Sequence, residues 1–148
     1  MGPASVGDVT GAPPLVFLDA NVLFSMALGG PVFELILELG NGAVRLITSV
    51  RCKAEAELNL DRKRPGSSPR LAEVLARVEV LPWSAAPDPS AIALVGEGDA
   101  HVRGAALGLG AAVLVTGDVR DFGPLMGRDD LGIKIRTPRS FLLEGPPG

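Results

Sequence analysis

The stretch Leu15-Val16-Phe17-Leu18-Asp19-Ala20-Asn21-Val22-Leu23 decides the fold of this chain. Its first four residues are all apolar, which is typical of a strand buried on both faces of a parallel sheet. The run stops at Asp19, and an apolar pattern with helical spacing follows at once. Because open α/β sheets bind ligands beyond the carboxyl ends of their strands, Asp19 is a candidate site residue. An aspartate or asparagine here also fits a helix N-cap, worth about 1 kcal/mol.

Apolar strands alternate with helical patterns along the rest of the chain. Further strands are predicted at 44–47, 78–81, 112–115 and 133–135, with helices from 31, 49, 68, about 99 and 138, and a short helix after 88. This alternation requires a mostly parallel sheet covered on both faces. The sequence therefore predicts one three-layer α/β/α domain, residues 15–143, with about four to five strands in its sheet. We expect residues 1–14 to be a flexible N-terminal tail and residues 144–148 a C-terminal tail.

Composition limits the classes of protein to consider. With 148 residues and 47% hydrophobic content, the chain is long enough for one domain with a real core. Its net charge of −3 gives no overall attraction to nucleic acid, so any such binding requires a local patch. The single cysteine, Cys52, excludes an internal disulfide and suits a reducing compartment. We find neither a secretory signal nor an apolar stretch of about 20 residues, and expect a cytoplasmic protein without a membrane segment.

Three carboxylates stand at comparable places in the predicted fold. Asp19 and Asp118 each end a strand, and Asp99 opens a helix. Each of them alone also fits a helix cap or a turn. If their strands are neighbours, the carboxylates converge and raise one another's pKa unless a cation intervenes. A cluster of this kind suits Mg²⁺ or Mn²⁺, which prefer carboxylate oxygens and promote attack by water on a phosphoryl group.

Three segments of the chain closely resemble the PIN-domain ribonucleases. These are Val16–Leu23, Gly98-Asp99-Ala100, and Leu114-Val115-Thr116-Gly117-Asp118 followed by Asp121-Phe122. The resemblance extends from about Leu15 to Leu143 and implies metal-dependent hydrolysis of RNA phosphodiester bonds. It gives the three aspartate roles to Asp19, Asp99 and Asp118, a further metal-binding acid to Asp121, and supporting positions to Asn21 and Thr116.

The family also has a helical glutamate, and the chain offers two candidates. Glu55 and Glu57 are two residues apart, so they face different directions on a helix. The predicted apolar stripe of Val50, Ala54 and Leu58 does not decide between them, although Glu57 lies nearer to it. The local sequence is similar to the family's glutamate followed four residues later by Asn-Leu, and this resemblance selects Glu55 as the catalytic residue.

A run of three cations, Arg62-Lys63-Arg64, lies in a predicted polar loop at 61–68. It fits a solvated loop as well as it fits a contact with RNA phosphates.

The resemblance implies an endoribonuclease that prefers single strands, with the VapC-type toxin of a toxin–antitoxin pair as its setting. A cognate antitoxin protein and a homodimer are the expected partners, besides RNA. One alternative is a catalytically silent PIN-like scaffold that binds RNA or protein. Another is an aspartate-dependent phosphatase, but Asn21 stands where the second aspartate of its strand-end Asp-x-Asp is expected.

Overall fold

The computed structural model describes residues 12–83, 97–118, 122–125 and 132–147, without the side chains of 97–99 and 124. The strands are β1 (Leu15–Leu18), β2 (Arg45–Ser49), β3 (Glu79–Leu81), β4 (Val113–Val115) and β5 (Lys134–Arg136). The α-helices are α1 (Ala20–Leu28), α2 (Pro31–Leu39), α3 (Val50–Lys63), α4 (Ser68–Leu75), α5 (Glu97–Gly108) and α6 (Pro138–Glu144). Short 3₁₀ turns occupy Pro65–Ser67 and Gly123–Leu125. The predicted short helix after residue 88, Asp121 and most of the N-terminal tail lie outside the described residues.

The five strands form one sheet in the order β3-β2-β1-β4-β5, and every neighbouring pair is parallel. The chain builds outward from β1 to β3 and then returns to the other side of β1 with β4. Helix α1 packs on α3 and α4, whereas α5 packs against β4 and α2 against α6. The predicted α/β class with a parallel sheet is therefore confirmed. The strand order reverses between β1 and β4, and a crevice for ligands opens at such a reversal.

The central strand β1 is buried as its apolar run predicts. Val16, Phe17 and Leu18 are fully buried, and Phe17 pairs in register with Ile47 on one side and Leu114 on the other. The hydroxyl of Thr48 donates a hydrogen bond to the Leu18 carbonyl oxygen at 2.8 Å. This bond satisfies two buried polar groups at the end of β1.

The side of α3 that faces the core differs from the prediction. Cys52, Ala56 and Leu60 are buried, whereas Val50 and Leu58 are 52% and 49% exposed. Two stripes with a spacing of four run along this helix, and they are two residues, or about 200°, apart. The prediction that Val50, Ala54 and Leu58 form the buried face of this helix is therefore wrong. Strand β2 continues to Ser49, and the Ser49 side chain caps the helix by accepting a hydrogen bond from the Cys52 amide at 3.1 Å.

The segments at the ends of two helices also differ from the prediction. Helix α3 continues to Lys63, so Arg62 and Lys63 belong to its last turn. Cations in this position interact favourably with the helix dipole. The predicted polar loop at 61–68 is therefore wrong. Glu144, which the prediction assigned to the C-terminal tail, is the last residue of α6 and forms an ion pair with Arg136 at 2.9 Å.

Trp83, which follows β3, packs against Gly108 at the end of α5. A Cβ atom built on Gly108 would lie 2.1 Å from the Trp83 ring, so only glycine leaves room for the indole there.

No single helix within the described ranges is long and apolar enough to span a bilayer. Helices α1 and α2 reach that length only together, as a pair bent by 115°.

Candidate active site

Asp19 lies at the point where the strand order reverses. Its backbone N–H donates to the Val115 carbonyl oxygen at 3.0 Å, which joins the end of β1 to the end of β4. Its carboxylate accepts a 2.7 Å bond from the Ala20 amide, so Asp19 is also the N-cap of α1. The residue is only 4% exposed. The capping interpretation and the site interpretation therefore both apply to this residue.

Two polar side chains connect Asp19 to the loop after β4. The Thr116 hydroxyl donates to Oδ2 of Asp19 at 2.7 Å and accepts from the Asp118 amide at 3.0 Å. The Asn21 side chain donates to Oδ2 of Asp19 at 3.4 Å and accepts from the Gly117 amide at 2.9 Å. Asn21 and Thr116, the expected supporting residues, thus hold the two strand ends in one arrangement.

The environment of Asp19 raises its pKa to about 6. Burial is the main cause, and the hydrogen bonds from Thr116 and Ala20 oppose it because they stabilise the ionised form. The negative charges of Glu55 and Asp118 raise the pKa further. The structure therefore brings Asp19, Glu55 and Asp118 into one electrostatic group.

The two candidate glutamates of α3 face different surroundings. Besides its repulsion with Asp19, Glu55 lines a small cavity with Cys52, Trp83 and His101. Glu57 instead forms an ion pair with Lys53, with 3.7 Å between its Oε2 and the lysine Nζ. The geometry favours Glu55 as the site residue.

Cys52 is buried beside the acids. Its pKa is raised to about 11 by burial, and the charges of Asp19 and Glu55 act in the same direction. The thiol therefore stays protonated and unreactive at neutral pH.

Asp99 lies in the first turn of its helix, near the predicted start. Helix α5 begins at Glu97, so Asp99 is its third residue and not its N-cap. The side chain of Asp99 lies outside the described part of the chain, as does Asp121. Ala100 is fully buried, and His101 lines the cavity that holds Glu55. The first turns of α5 therefore lie beside the start of α3.

A family model described as the PIN domain matches residues 15–120. The chain belongs to the PIN-domain family. A comparison with curated proteins gave no match.

Solved structures of three toxin–antitoxin systems share the fold of this PIN domain. VapBC2 from Rickettsia felis, bound to a DNA fragment from its promoter, matches with 16% identity and a TM-score of 0.61, over 83% of this chain and 98% of that one. VapBC-1 from nontypeable Haemophilus influenzae matches with 20% identity and a TM-score of 0.56, over 84% and 98%. A toxin–antitoxin complex from Klebsiella pneumoniae matches with 18% identity and a TM-score of 0.59, over 83% and 97%.

The acidic group of this PIN domain suits a hard divalent cation. Among the described residues, no three His, Cys, Asp or Glu side chains lie close enough to form a complete set of metal ligands. Mg²⁺ does not require such a set, because it keeps several waters and binds proteins through one or two carboxylates plus substrate phosphates. Asp19 is a suitable first ligand because its ionised form is destabilised by burial and by the charges of Glu55 and Asp118. A bound cation offsets both the cost of burying this charge and the repulsion between the carboxylates.

The cation run lies away from the acids of this PIN domain. Arg62, Lys63 and Arg64 are exposed at the end of α3, and Arg62 is seven residues, or about 10 Å of helix, beyond Glu55. The Lys63 ammonium stands 5.9 Å from the centre of the Phe24 ring. Sequence reasoning missed a different cation, Arg139, in the first turn of α6. Its position just after a parallel strand was the available signal, because that end of the sheet carries the acids.

Proposed function

We propose that this PIN domain is a metal-dependent endoribonuclease that hydrolyses phosphodiester bonds in single-stranded RNA. The observation that carries the proposal is Asp19, buried where the strand order reverses and subject to the charges of Glu55 and Asp118. Burying a carboxylate next to others opposes folding in the absence of a cation. A function that requires a bound cation explains why this arrangement is present.

Asp19 and Asp118 would hold Mg²⁺ or Mn²⁺, and family resemblance adds Asp99 and Asp121. The ion, when bound, supplies a charge that stabilises phosphoryl oxygens and lowers the pKa of water. Thr116 and Asn21 keep Asp19 in one orientation through their hydrogen bonds, so little rearrangement is needed when substrate arrives.

Glu55 is exposed on the first turns of α3 beside the acidic group, where it is available to accept a proton from the attacking water. In the described part of the chain, Glu55 has no ion pair or hydrogen bond that would give its carboxylate a role in the fold. We therefore assign catalysis to Glu55 together with Asp19, Asp99 and Asp118.

The setting we propose is a toxin–antitoxin pair in the cytoplasm. Its support is the family and the fold shared with the VapBC structures. An upstream open reading frame for a short antitoxin is the expected genomic neighbour. We also propose a homodimer, since two-fold dimers are the commonest oligomers. Light scattering that gives a particle of 15.2 kDa at micromolar concentration would contradict the dimer.

The test is cleavage of labelled RNA by the purified protein. Several single-stranded RNAs are incubated with Mg²⁺ or Mn²⁺ and then with EDTA, and the Asp118→Asn variant serves as the control for a contaminating nuclease. We expect cleavage that requires metal and is lost in the variant. Cleavage that survives EDTA, or failure to cut any RNA with any metal, would refute the proposal, and RNA binding without cleavage would favour a silent scaffold.

A further inference from the structure

A second cleft, of about 470 Å³, opens next to the acidic site, between α1, α2 and the start of α6. Asn21 and Gly117 line it, and the same two residues are hydrogen bonded to each other at the edge of the acidic site. The cleft therefore adjoins the acidic site. We call it the Phe33 cleft, after the aromatic residue in its wall.

The wall of the Phe33 cleft is apolar and includes one aromatic ring. Val22, Val32, Phe33 and Pro138 form it, and Phe33 is only half-buried. The volume falls within the range of about 300–1,000 Å³ that is usual for small-molecule pockets. The cleft thus offers a flat ring surface to a ligand of moderate size.

Two polar groups of the Phe33 cleft are free to bind a ligand. Arg139 is exposed and has no ion pair or hydrogen bond in the described part of the chain, and the same holds for the Ser25 hydroxyl. Three other described arginines, Arg45, Arg70 and Arg136, are instead paired with carboxylates. No carboxylate is among the described residues that line the cleft. The cleft is therefore cationic, in contrast to the acidic site beside it.

We propose that the Phe33 cleft receives a base of single-stranded RNA that adjoins the scissile phosphate. The base stacks on Phe33, and Arg139 contacts a backbone phosphate. Stacking on an aromatic side chain with a nearby cation is how proteins hold single strands, and it tolerates different bases because each has a flat face. A base paired in a duplex is unable to enter the cleft, so the same geometry selects single strands. This proposal rests on the proposed nuclease function and adds its substrate contact.

A nucleotide fits these observations better than a protein segment does. Its phosphate matches the unpaired Arg139, and its flat base matches the single accessible ring of Phe33. The lining comes from helices and loops, so it offers no strand edge to which an extended peptide could add.

Binding of RNA, measured without cleavage, tests the proposal. In a Glu55→Gln background, which lies outside the cleft, we measure the fluorescence anisotropy of a short fluorescein-labelled single-stranded RNA with Mg²⁺. Phe33→Ala is expected to weaken binding by about ten-fold or more, and Phe33→Trp to retain it. Arg139→Ala is expected to weaken binding and to reduce the slope of log affinity against log salt by about 1.

Matched variants control for general effects on the surface. Leu35→Ala changes an exposed residue of the same helix outside the cleft, and Lys53→Ala removes a cation elsewhere; both are expected to leave RNA binding unchanged. Circular dichroism checks that each variant is folded. Phe33→Leu, which keeps apolar volume without a ring, replaces Phe33→Ala if that variant unfolds.

The outcomes separate this proposal from the nuclease function. If wild type cleaves RNA while the Phe33 and Arg139 variants bind it with unchanged affinity, the base contact is refuted and the nuclease remains. If wild type neither binds nor cleaves RNA with any metal, both proposals fall. Crosslinking of RNA that contains 4-thiouridine, followed by mass spectrometry, is expected to modify the peptide 31–39. Crosslinks confined to other peptides, including the cation run at 62–64, would also refute the base contact.

Discussion

Replacing Asp19 with asparagine tests the electrostatic account of the site through protein stability. Asparagine caps a helix about as well as aspartate, so the cap of α1 is kept. What changes is the buried charge. Because the folded-state pKa of about 6 exceeds the ordinary value of 3.8, the folded protein binds the proton more tightly than the unfolded chain does. Wild type is therefore most stable, with respect to this group, below about pH 4, and loses that stability as the pH rises to about 6.

The size of the effect follows from the same pKa. The interval from 3.8 to about 6 is roughly two pH units, and each is worth about 1.4 kcal/mol. In EDTA, we compare the free energies of unfolding of the Asp19→Asn variant and of wild type. The variant's value minus that of wild type is expected to rise by about 2.4 kcal/mol between pH 4 and pH 7, since part of the effect already occurs below pH 4. Taking this difference cancels, to a first approximation, the titration of the carboxylates that do not interact with Asp19.

The assay is urea unfolding at a series of pH values, with linear extrapolation to water. Glu57→Gln, an exposed change outside the acidic group, is the control and is expected to show no such rise. In a second series at pH 7.5, Mn²⁺ at one hundred times its Kd is expected to stabilise wild type by about 2.7 kcal/mol and the Asp19→Asn variant by much less. A difference that stays flat with pH would refute the account of Asp19 as a carboxylate held against burial and repulsion.

Two further predictions concern helices α3 and α5. Glu55→Gln is expected to lower the rate of RNA cleavage by about 100-fold or more, whereas Glu57→Gln keeps most of the activity; the reverse order would show that the wrong glutamate was assigned. Gly108→Ala is expected to lower the free energy of unfolding by about 1–3 kcal/mol and to shift the fluorescence of Trp83, because the new Cβ overlaps its ring. Gly104→Ala on the same helix, where nothing lies within 4 Å of the added atom, is the control and is expected to be neutral or stabilising. Equal effects of the two glycine variants in urea unfolding would contradict the packing argument.

The sequence predicted β1 and the place of Asp19 well, because one physical condition determines both. A strand covered on both faces must be apolar along its whole length, and a charge can follow only where the sheet ends. Val16 to Leu18 are fully buried and Asp19 lies at the edge, as this condition requires. The alternation of strands and helices predicted a mostly parallel sheet but left open whether β1 and β4 are neighbours, which the structure shows.

The face of α3 could not be predicted in the same way. Val50, Ala54 and Leu58 form one apolar stripe, and Cys52, Ala56 and Leu60 form another with the same spacing. Both satisfy the helical period, so the choice depends on where β2 ends and on what packs above the helix.

The Phe33 cleft was equally inaccessible to local pattern analysis. Its lining combines residues of α1 and α2 with residues at the start of α6, which come more than 100 positions later in the chain. Only the arrangement of these helices around the sheet brings Phe33 and Arg139 to one opening. The position of Arg139 after a strand indicates the end of the sheet that carries the acids, but not that Phe33 lies across the same opening.

Two side chains help to hold the loop after β4. The amides of Gly117 and Asp118 donate hydrogen bonds to the side chains of Asn21 and Thr116. Exchange of these two amide hydrogens with solvent therefore reports on whether these two side-chain bonds are formed. Thr116→Val would release the Asp118 amide and leave the sheet intact. Faster exchange of the Asp118 amide in that variant than in wild type would show that this hydroxyl group helps to hold Asp118 near Asp19.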